Sequence, residues 1–302
     1  MAFLSRDLSG IFPAKGLAEI VRPENLRARK LKRQSSAAAA AAETFTFEIP
    51  TDRLIHAIII SVGESTDTGG VQGTLADDIL SFDLNSNIGH LKEMTGGMSK
   101  QINIINKEVM STGFYKLYFT DPVIKRAMPL PSWLFSSLDL DILDNAPAAT
   151  NYHHMQVSVI ESEVPSGLDV SDWRVLCERY LRWKKYGTDT GWQDYDHERA
   201  YRIFGYLYTQ DDDGTLSDTE YDMLTLIGIK PDGEHRLVDE QYLSHIKEMN
   251  TVAYQQALGT GFHYLEFPDG YDSGQYRTLV SKLNIPTAAT NAGLRVLERY
   301  LM

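Results

Sequence analysis

The sequence has a single cysteine, Cys177, in 302 residues. One thiol excludes an internal disulfide framework and any zinc site that several cysteines would build. Long apolar runs are also missing. A run such as Ile58-Ile59-Ile60 is far shorter than the roughly 18 residues of a membrane-spanning helix, and the N-terminus has no apolar signal core. We therefore expect a soluble protein that folds in a reducing cytoplasm.

Catalytic signatures are equally scarce. The chain contains no G-x-S-x-G, no P-loop and no G-x-G-x-x-G motif. His153 and His154 precede a predicted strand, in which neighbouring side chains point to opposite faces, so they cannot easily share one metal ion. Cys177 lies in an apolar stripe and is predicted to be a small buried hydrophobic residue. The sequence thus predicts no enzymatic activity, no cofactor and no resident metal.

Charge is distributed unevenly along the chain. The protein carries a formal charge of -12, but residues 1–42 contain eight basic and three acidic side chains, a net of +5. This segment ends in two serines and six alanines, a low-complexity connector. We interpret residues 1–43 as an arm that contacts a membrane or another inner surface; nucleic acid, a neighbouring subunit and its own body are alternative contacts. The predicted contact residues are Phe3, Leu4, Arg6, Ile11, Phe12, Lys15, Arg27, Arg29, Lys30, Lys32 and Arg33.

Strand patterns dominate the chain after this arm. Phe45, Phe47 and Ile49 alternate with polar residues, the period of a half-buried strand. Further strands are predicted from β-branched or alternating runs at Leu54–Val62, Ile79–Leu84, Phe114–Phe119, Leu138–Leu143 and Met155–Ile160. One helix is predicted within Met98–Val109. Many short strands joined by decorated loops are typical of a sandwich or jelly roll.

An internal repeat is the most informative feature. Thr112–Phe119 recurs as Thr260–Phe267, with five of eight positions identical at an offset of 148. The tetrapeptide at 148–151 recurs at 288–291, and Arg53 has a counterpart in Arg202, both at similar offsets. A period near 145 residues has the size of a domain. We therefore predict two similar barrels in tandem, at residues 44–164 and, with a linker, at 165–302.

The segment between the barrels is ambiguous. Seven residues have helical spacing: Val170, Trp173, Leu176, Cys177, Tyr180, Leu181 and Lys184. The repeat, however, requires an opening strand for the second barrel before Arg199. We expect a helix that gives way to a strand near Gly187–Tyr195, and whether residues 170–184 are helix or strand is left open.

Two other patterns suggest alternative functions. Asp211, Asp213, Ser217 and Glu220 match ligand positions of an EF-hand calcium loop, but Thr209 occupies the first ligand position and no second loop is present. An acidic, solvated loop is therefore the favoured interpretation. The aromatic residues Trp173, Tyr180, Trp183, Tyr186 and Trp192 would suit the sugar-stacking platform of a carbohydrate-binding jelly roll, or pack a barrel junction or subunit interface.

The chain resembles a known family of viral coat proteins. The resemblance rests on the duplication and on three stretches: Phe114–Pro122 (FYKLYFTDP), Arg179–Tyr208 (ending in DYDHERAYRIFGYLY) and Leu294–Leu301 (LRVLERYL). These are similar to the double jelly-roll major capsid proteins of tailless, membrane-containing bacteriophages, the corticovirus-like and finnlakevirus-like members of the adenovirus-type lineage.

This resemblance implies both a fold and a function. The expected fold is all-β, with two tandem jelly-roll barrels, a few short helices in loops and an N-terminal arm. The expected function is a major capsid protein whose pseudo-hexagonal homotrimers build an icosahedral shell over an internal lipid membrane. The implied partners are further copies of the chain, a pentameric vertex protein and the membrane, with nucleic acid as a weaker alternative. The protein would be made in the host cytoplasm and reside in the virion.

Overall fold

The computed structural model describes residues 26–36, 41–66, 74–75, 77–108, 110–119, 128–147, 150–164, 174–198 and 202–302. The chain forms two compact units. The first comprises residues up to Asn103 together with Val109–Cys177, and the second comprises Ile104–Glu108 and Glu178–Met302. Within the described ranges, no helix has both the length and the apolar character needed to cross a membrane.

The first unit contains two antiparallel sheets and one helix. Its elements are β1 (Arg27–Lys30), β2 (Gln34–Ser35), β3 (Thr44–Glu48), β4 (Leu54–Ser65), β5 (Thr74–Leu75), β6 (Ile79–Ser86), β7 (Gly89–Thr95), α1 (Gly96–Ile105), β8 (Phe114–Tyr118), β9 (Leu130–Pro131), a 3-10 turn (Ser132–Leu134), β10 (Leu138–Asp144) and β11 (Tyr152–Ser162). In one sheet β11 lies between β1 and β4, and β4 also pairs with β5, β8 and β9. The other sheet has the order β3-β10-β6-β7.

Alternating side chains bring these two sheets face to face. On β11 the inward row is Met155, Val157 and Val159, all fully buried. The opposing row on β10 is Leu138, Leu140 and Ile142, also fully buried. Between the sheets, Phe82 of β6 meets Tyr115 of β8 edge-on, with ring centroids 5.2 Å apart. The period of two seen in the sequence is therefore the pattern of a sandwich whose apolar faces meet.

The second unit repeats this arrangement. Its elements are β12 (Leu176–Gly187), β13 (Gly191–Asp196), β14 (Arg202–Asp212), β15 (Thr215–Leu216), β16 (Met223–Lys230), β17 (Gly233–Tyr242), α2 (Leu243–Tyr254), β18 (Phe262–Asp272), a 3-10 turn (Ser273–Gln275), β19 (Thr278–Ile285) and β20 (Ala292–Leu301). In one sheet β20 lies between β12 and β14, and β14 also pairs with β15 and β18. The other sheet has the order β13-β19-β16-β17.

The two units match element for element. β4 pairs with β11, β8 and β5, just as β14 pairs with β20, β18 and β15. The orders β3-β10-β6-β7 and β13-β19-β16-β17 are the same, and each helix follows the last strand of that order. The predicted all-β class with tandem jelly rolls is confirmed. The boundaries predicted at residues 43 and 164 stay predictions.

Most predicted elements are confirmed, and one is wrong. The strand predictions correspond to β3, β4, β6, β8, β10 and β11, and the helix corresponds to α1. The helical alternative for 170–184 is incorrect over its described part, because Leu176–Gly187 is a strand. Leu176, Cys177 and Glu178 are buried in succession, and a strand buried on both faces shows no alternation. The sequence analysis did not identify α2.

A glycine turn explains the strongest part of the repeat. Gly113, just before β8, has a φ of 73°, a left-handed conformation that favours glycine. Its N–H donates to Asp77 Oδ1 at 2.5 Å. Lys100 of α1 contacts the same Asp77 oxygen at 2.8 Å and donates to the Ser111 carbonyl at 3.1 Å. One lysine therefore ties the helix to the turn that starts β8.

The second unit builds the same brace from different stretches of chain. Gly261, just before β18, has a φ of 80°, and its N–H donates to Asp218 Oδ1 at 2.7 Å. Lys247 of α2 donates to Asp218 Oδ2 at 2.6 Å and to the Gly259 carbonyl at 3.0 Å. Burial would raise the pKa of Asp218, but the hydrogen bonds from Lys247 and Gly261 outweigh it and lower the pKa. The repeated Thr-Gly-Phe sequence thus reflects a turn that both units contain.

We predict that Gly261→Ala destabilises the protein more than Gly214→Ala. Both glycines have positive φ, so either alanine costs about 1–2 kcal/mol in backbone strain. A Cβ at Gly261 would also lie 2.6 Å from the Gln210 carbonyl oxygen, whereas one at Gly214 meets no atom within 4 Å. Chemical denaturation at matched protein concentration measures the difference. Equal losses for the two variants would contradict this account of the turn.

Two crossed ion pairs join β12 to β20 in the second unit. Glu298 and Arg299 are consecutive on β20 and point to opposite faces. Arg179 Nη2 donates to Glu298 Oε2 at 2.6 Å, and Arg299 Nε donates to Glu178 Oε1 at 3.1 Å. The side chains of Glu178, Glu298 and Arg299 are at most 1% exposed. Because each buried charge has a partner on the neighbouring strand, the pairs also specify the register of β12 on β20.

We predict that Glu298→Ala lowers the free energy of unfolding by about 3–5 kcal/mol, since it leaves Arg179 without its buried counter-charge. Glu198→Ala is the matched control. Glu198 also contacts Arg179 at 2.6 Å, but its side chain is 66% exposed, so the loss should be at most about 1 kcal/mol. Urea titration of both variants tests the contrast. Similar losses would show that burial does not set the strength of these contacts.

Candidate functional site

Part of the predicted arm is built into the first unit. β1 pairs antiparallel with β11, with Arg27 opposite Glu161 and Lys30 opposite Ser158. The Leu31 N–H donates to the Val157 carbonyl, and β2 continues along β11 beyond it. This strand is not apparent in the sequence because charged residues at five of the seven positions 27–33 mask any apolar alternation. Residues 27–35 therefore run along one edge of the first unit's sheet.

Acidic side chains offset part of the basic charge there. Arg29 Nε donates to Glu161 Oε1 at 3.0 Å, and its Nη1 lies 3.6 Å from Asp52 Oδ1. Arg27 Nη1 lies 3.6 Å from Glu163 Oε1. Lys30 and Lys32 are exposed, and Arg33 is half-buried. The strand thus presents lysines to solvent while its arginines contact the first unit.

Six residues of the predicted contact set, including all of its apolar ones, lie outside the described residues: Phe3, Leu4, Arg6, Ile11, Phe12 and Lys15. Residues 1–25 contain three basic and three acidic side chains, so their formal charge is zero. The net +5 of the arm falls entirely on five residues, Arg27, Arg29, Lys30, Lys32 and Arg33. Charge and apolar character are therefore carried by separate stretches.

The loop that resembles a calcium site is a β-hairpin. It follows β14 rather than a helix, and Gly214 in its turn donates to Asp211 Oδ1 at 2.9 Å. Glu220 accepts from Ser217 Oγ at 2.9 Å, while Asp213 accepts from Asn291 Nδ2 at 3.0 Å. The carboxylates thus have separate partners on separate neighbours. In the described residues they do not belong to the group of acidic and histidine side chains that converge on one point.

The described members of the possible sugar platform lie in different surroundings. Trp183 lies between two cations, with Lys185 Nζ at 4.2 Å and the Arg295 guanidinium at 4.4 Å from its ring centroid. Tyr186 is buried and packs edge-on against Tyr221 at 6.2 Å. Trp192 is exposed, and Trp173 lies outside the described residues. Cys177 is fully buried, as predicted.

His153 and His154 point to opposite faces of β11, as the strand period predicts. The His154 ring contacts the hydroxyls of Ser35 at 2.7 Å and Ser65 at 3.0 Å. His153 instead faces the interior, in the same row as the apolar residues of β11. The two imidazoles therefore lie in different environments.

An acidic cluster surrounds His153 at the end of the sandwich. Asp144 Oδ2 of β10 lies 2.5 Å from His153 Nδ1, and both side chains are only 1% exposed. Asp78 Oδ2, just before β6, lies 3.3 Å from His153 Nε2. Glu64, near the end of β4, contributes a third carboxylate: Glu64, Asp78 and His153 each offer a donor atom within 4.8 Å of the others.

This cluster favours positive charge. Burial raises the pKa of the Asp144 carboxyl, and its bond with His153 offsets only part of that effect. Burial lowers the pKa of the His153 imidazole, but the hydrogen bond and charge of Asp144 outweigh it, and the net pKa is raised. The carboxylates of Asp78 and Glu64 raise the pKa of His153 further. Three carboxylates around one imidazole therefore attract a proton or a cation.

Sequence reasoning did not bring these residues together, because they come from four separate stretches of chain. A signal was nevertheless present. Glu64 follows the inward row of β4, Asp144 follows that of β10, and His153 precedes that of β11. Polar residues that end several inward rows must meet at one end of a sandwich.

Comparison with known proteins places the fold. No protein-family model and no curated protein matches the chain. The crystal structure of the major capsid protein of Sulfolobus turreted icosahedral virus aligns with a TM-score of 0.69 at 11% identity, over 91% of this chain and 96% of that one. The major capsid protein P2 from bacteriophage PM2 aligns with a TM-score of 0.62 at 13% identity, over 91% and 98%. The PBCV-1 virus capsid structure aligns with a TM-score of 0.58 at 10% identity, over 92% and 94%. The chain has the double jelly-roll fold seen in these viral capsid proteins.

Proposed function

We propose that this chain is the major capsid protein of an icosahedral virus and assembles as a pseudo-hexagonal homotrimer. The observation that carries the proposal is the duplication: one chain contains two jelly rolls with the same strand order, helix position and glycine turn. Capsid proteins with the same fold align over nine-tenths of the chain. It is a structural protein of the virion rather than an enzyme.

The duplication suits a shell for a geometric reason. Three chains related by a threefold axis contribute six barrels, so a trimer approximates a hexagon and packs against six neighbours. Closed cyclic symmetry satisfies the interface of every chain within the trimer. A single barrel per chain would need six copies to give the same tile. The partners are thus two further copies of the chain within the trimer, neighbouring trimers, and a pentameric vertex protein where fivefold symmetry interrupts the hexagonal lattice.

The N-terminal segment supports attachment to a lipid membrane beneath the shell. Lys30 at the end of β1 and Lys32 just after it are exposed, and the preceding stretch contains Phe3, Leu4, Ile11 and Phe12. Apolar anchors insert into the boundary of a bilayer, and basic residues beside them are attracted to anionic headgroups. The acidic remainder of the chain, at -17, disfavours a broad nucleic-acid surface. The calcium and carbohydrate alternatives receive no comparable support from the hairpin or from Trp183.

We predict a native mass of about 102 kDa, which corresponds to three chains of 34.0 kDa. Native mass spectrometry of the purified full chain measures this directly. Electron microscopy at high protein concentration should show sheets or shells with hexagonal packing. A protein that stays monomeric at all concentrations and forms no lattice would contradict the capsid proposal.

We predict that Lys30→Gln with Lys32→Gln weakens binding to anionic vesicles. Each basic residue near an anionic surface contributes up to about 1 kcal/mol, so the double variant should lose up to roughly thirtyfold in partitioning. Lys184→Gln with Lys185→Gln removes the same charge from exposed positions of the second unit and is the matched control. Co-sedimentation with phosphatidylserine-containing vesicles gives the readout.

Removal of residues 2–25 should abolish binding to uncharged vesicles, because it deletes the apolar anchors without changing the net charge. The cut leaves β1 and β2 in place, so the truncated chain should still form a trimer. The native mass of that trimer should be lower only by the mass of the deleted residues. If the truncated chain and the Lys30/Lys32 variant both bind vesicles as the full chain does, membrane attachment through this segment is wrong.

A further inference from the structure

His153 and Asp144, the two buried members of the cluster, are not repeated in the second barrel. The repeat at 148–151 and 288–291 has an offset of 140, which aligns His153 with Gly293 in the final strand of the second unit. The same offset aligns Asp144 with Asn284 of β19, whose Nδ2 donates to Asp222 Oδ1 at 2.8 Å. The second barrel thus has neither a histidine nor an acid at these two positions.

The His153 imidazole is oriented in the same way as the imidazole of a metal-binding histidine. Its Nδ1 faces the buried carboxylate of Asp144, the arrangement by which a carboxylate orients a histidine that binds metal through Nε2. The His153 backbone is fixed as well, because its N–H donates to Ser36 Oγ at 2.9 Å and its carbonyl accepts from the Ser36 N–H at 2.9 Å. Nε2 is therefore presented in one direction.

That direction leads to carboxylate oxygens. Within the described structure, the buried His153 Nε2 has no hydrogen-bond partner, and it lies 3.3 Å from Asp78 Oδ2. Tetrahedral zinc with bonds of roughly 2.0–2.1 Å places its ligand atoms about 3.4 Å apart. The remaining donor distances in the group reach at most 4.8 Å. Glu64 and Asp78 are half-buried, and a shift of the Glu64 carboxylate, which accepts from Asn151 Nδ2 at 3.0 Å, would close that gap.

We propose that Glu64, Asp78 and His153 form a zinc site at one end of the first barrel, with Asp144 as the residue that orients His153. An imidazole nitrogen with two carboxylate oxygens is a ligand set that zinc accepts, and water completes the tetrahedron. The ion ties β4, the start of β6 and β11 together and neutralises carboxylates that otherwise repel one another. This inference does not depend on the proposed capsid function.

Isothermal titration of the full chain with zinc chloride, after treatment with EDTA and dialysis, tests the site. We expect one zinc ion per chain and a higher melting temperature with zinc, because an ion that binds only the folded state stabilises it. Asp78→Asn and His153→Gln should abolish binding, while Asp144→Asn should weaken it by roughly 10–100-fold. His154→Gln, on the opposite face of the same strand, is the matched control and should bind zinc as the unaltered chain does.

Cobalt substitution gives a second readout that is independent of folding energy. Visible absorption of the cobalt-loaded chain should show the intense bands of a tetrahedral site, and Asp78→Asn should remove them. Asp78 is only half-buried, so the Asp78→Asn variant should still fold. Circular dichroism and native mass check that it does. The proposal is overturned if the unaltered chain binds no zinc, if it binds calcium but not zinc, or if the folded Asp78 variant binds zinc unchanged.

Discussion

Both barrels depend on the same requirement: a polar group between two packed sheets has no water to bond with, so it must find a partner within the protein. The interior of each sandwich is filled by alternate residues of its strands, which must then be apolar or paired. The second unit meets this requirement with the crossed pairs Arg179–Glu298 and Glu178–Arg299. The first unit meets it at its end with Asp144 and His153. The paired polar side chains in these interiors therefore connect specific strands.

The duplication is visible in sequence only where the backbone restricts the choice of residue. Gly113 and Gly261 both adopt a left-handed turn, and the aspartates that accept their N–H groups are also retained. The lysine that braces each turn comes from the preceding helix in both units. Elsewhere the requirement is only for an apolar residue facing inward, which many side chains satisfy. Two barrels with the same topology can therefore differ at most positions and still share one short motif.

The sequence was sufficient for the class of fold and insufficient for the contacts. Alternation at Phe45 and Phe47 and the repeat at Gly113 and Gly261 predicted strands and tandem barrels, because both signals are local. β12 was ambiguous, since Leu176, Cys177 and Glu178 are buried in succession and a strand covered on both faces loses its period of two. The cluster around His153 was not predictable in detail, because Glu64 and His153 approach each other only once β4 and β11 have paired.

β1 has a further consequence, because it covers one sheet edge of the first unit. A sheet edge exposes unpaired N–H and carbonyl groups that can template pairing with another chain. Arg27–Lys30 covers the edge of β11 in the first unit. Among the described residues, the first unit thus has a charged strand as its outer boundary on that side. Such a boundary opposes uncontrolled edge-to-edge pairing with other chains.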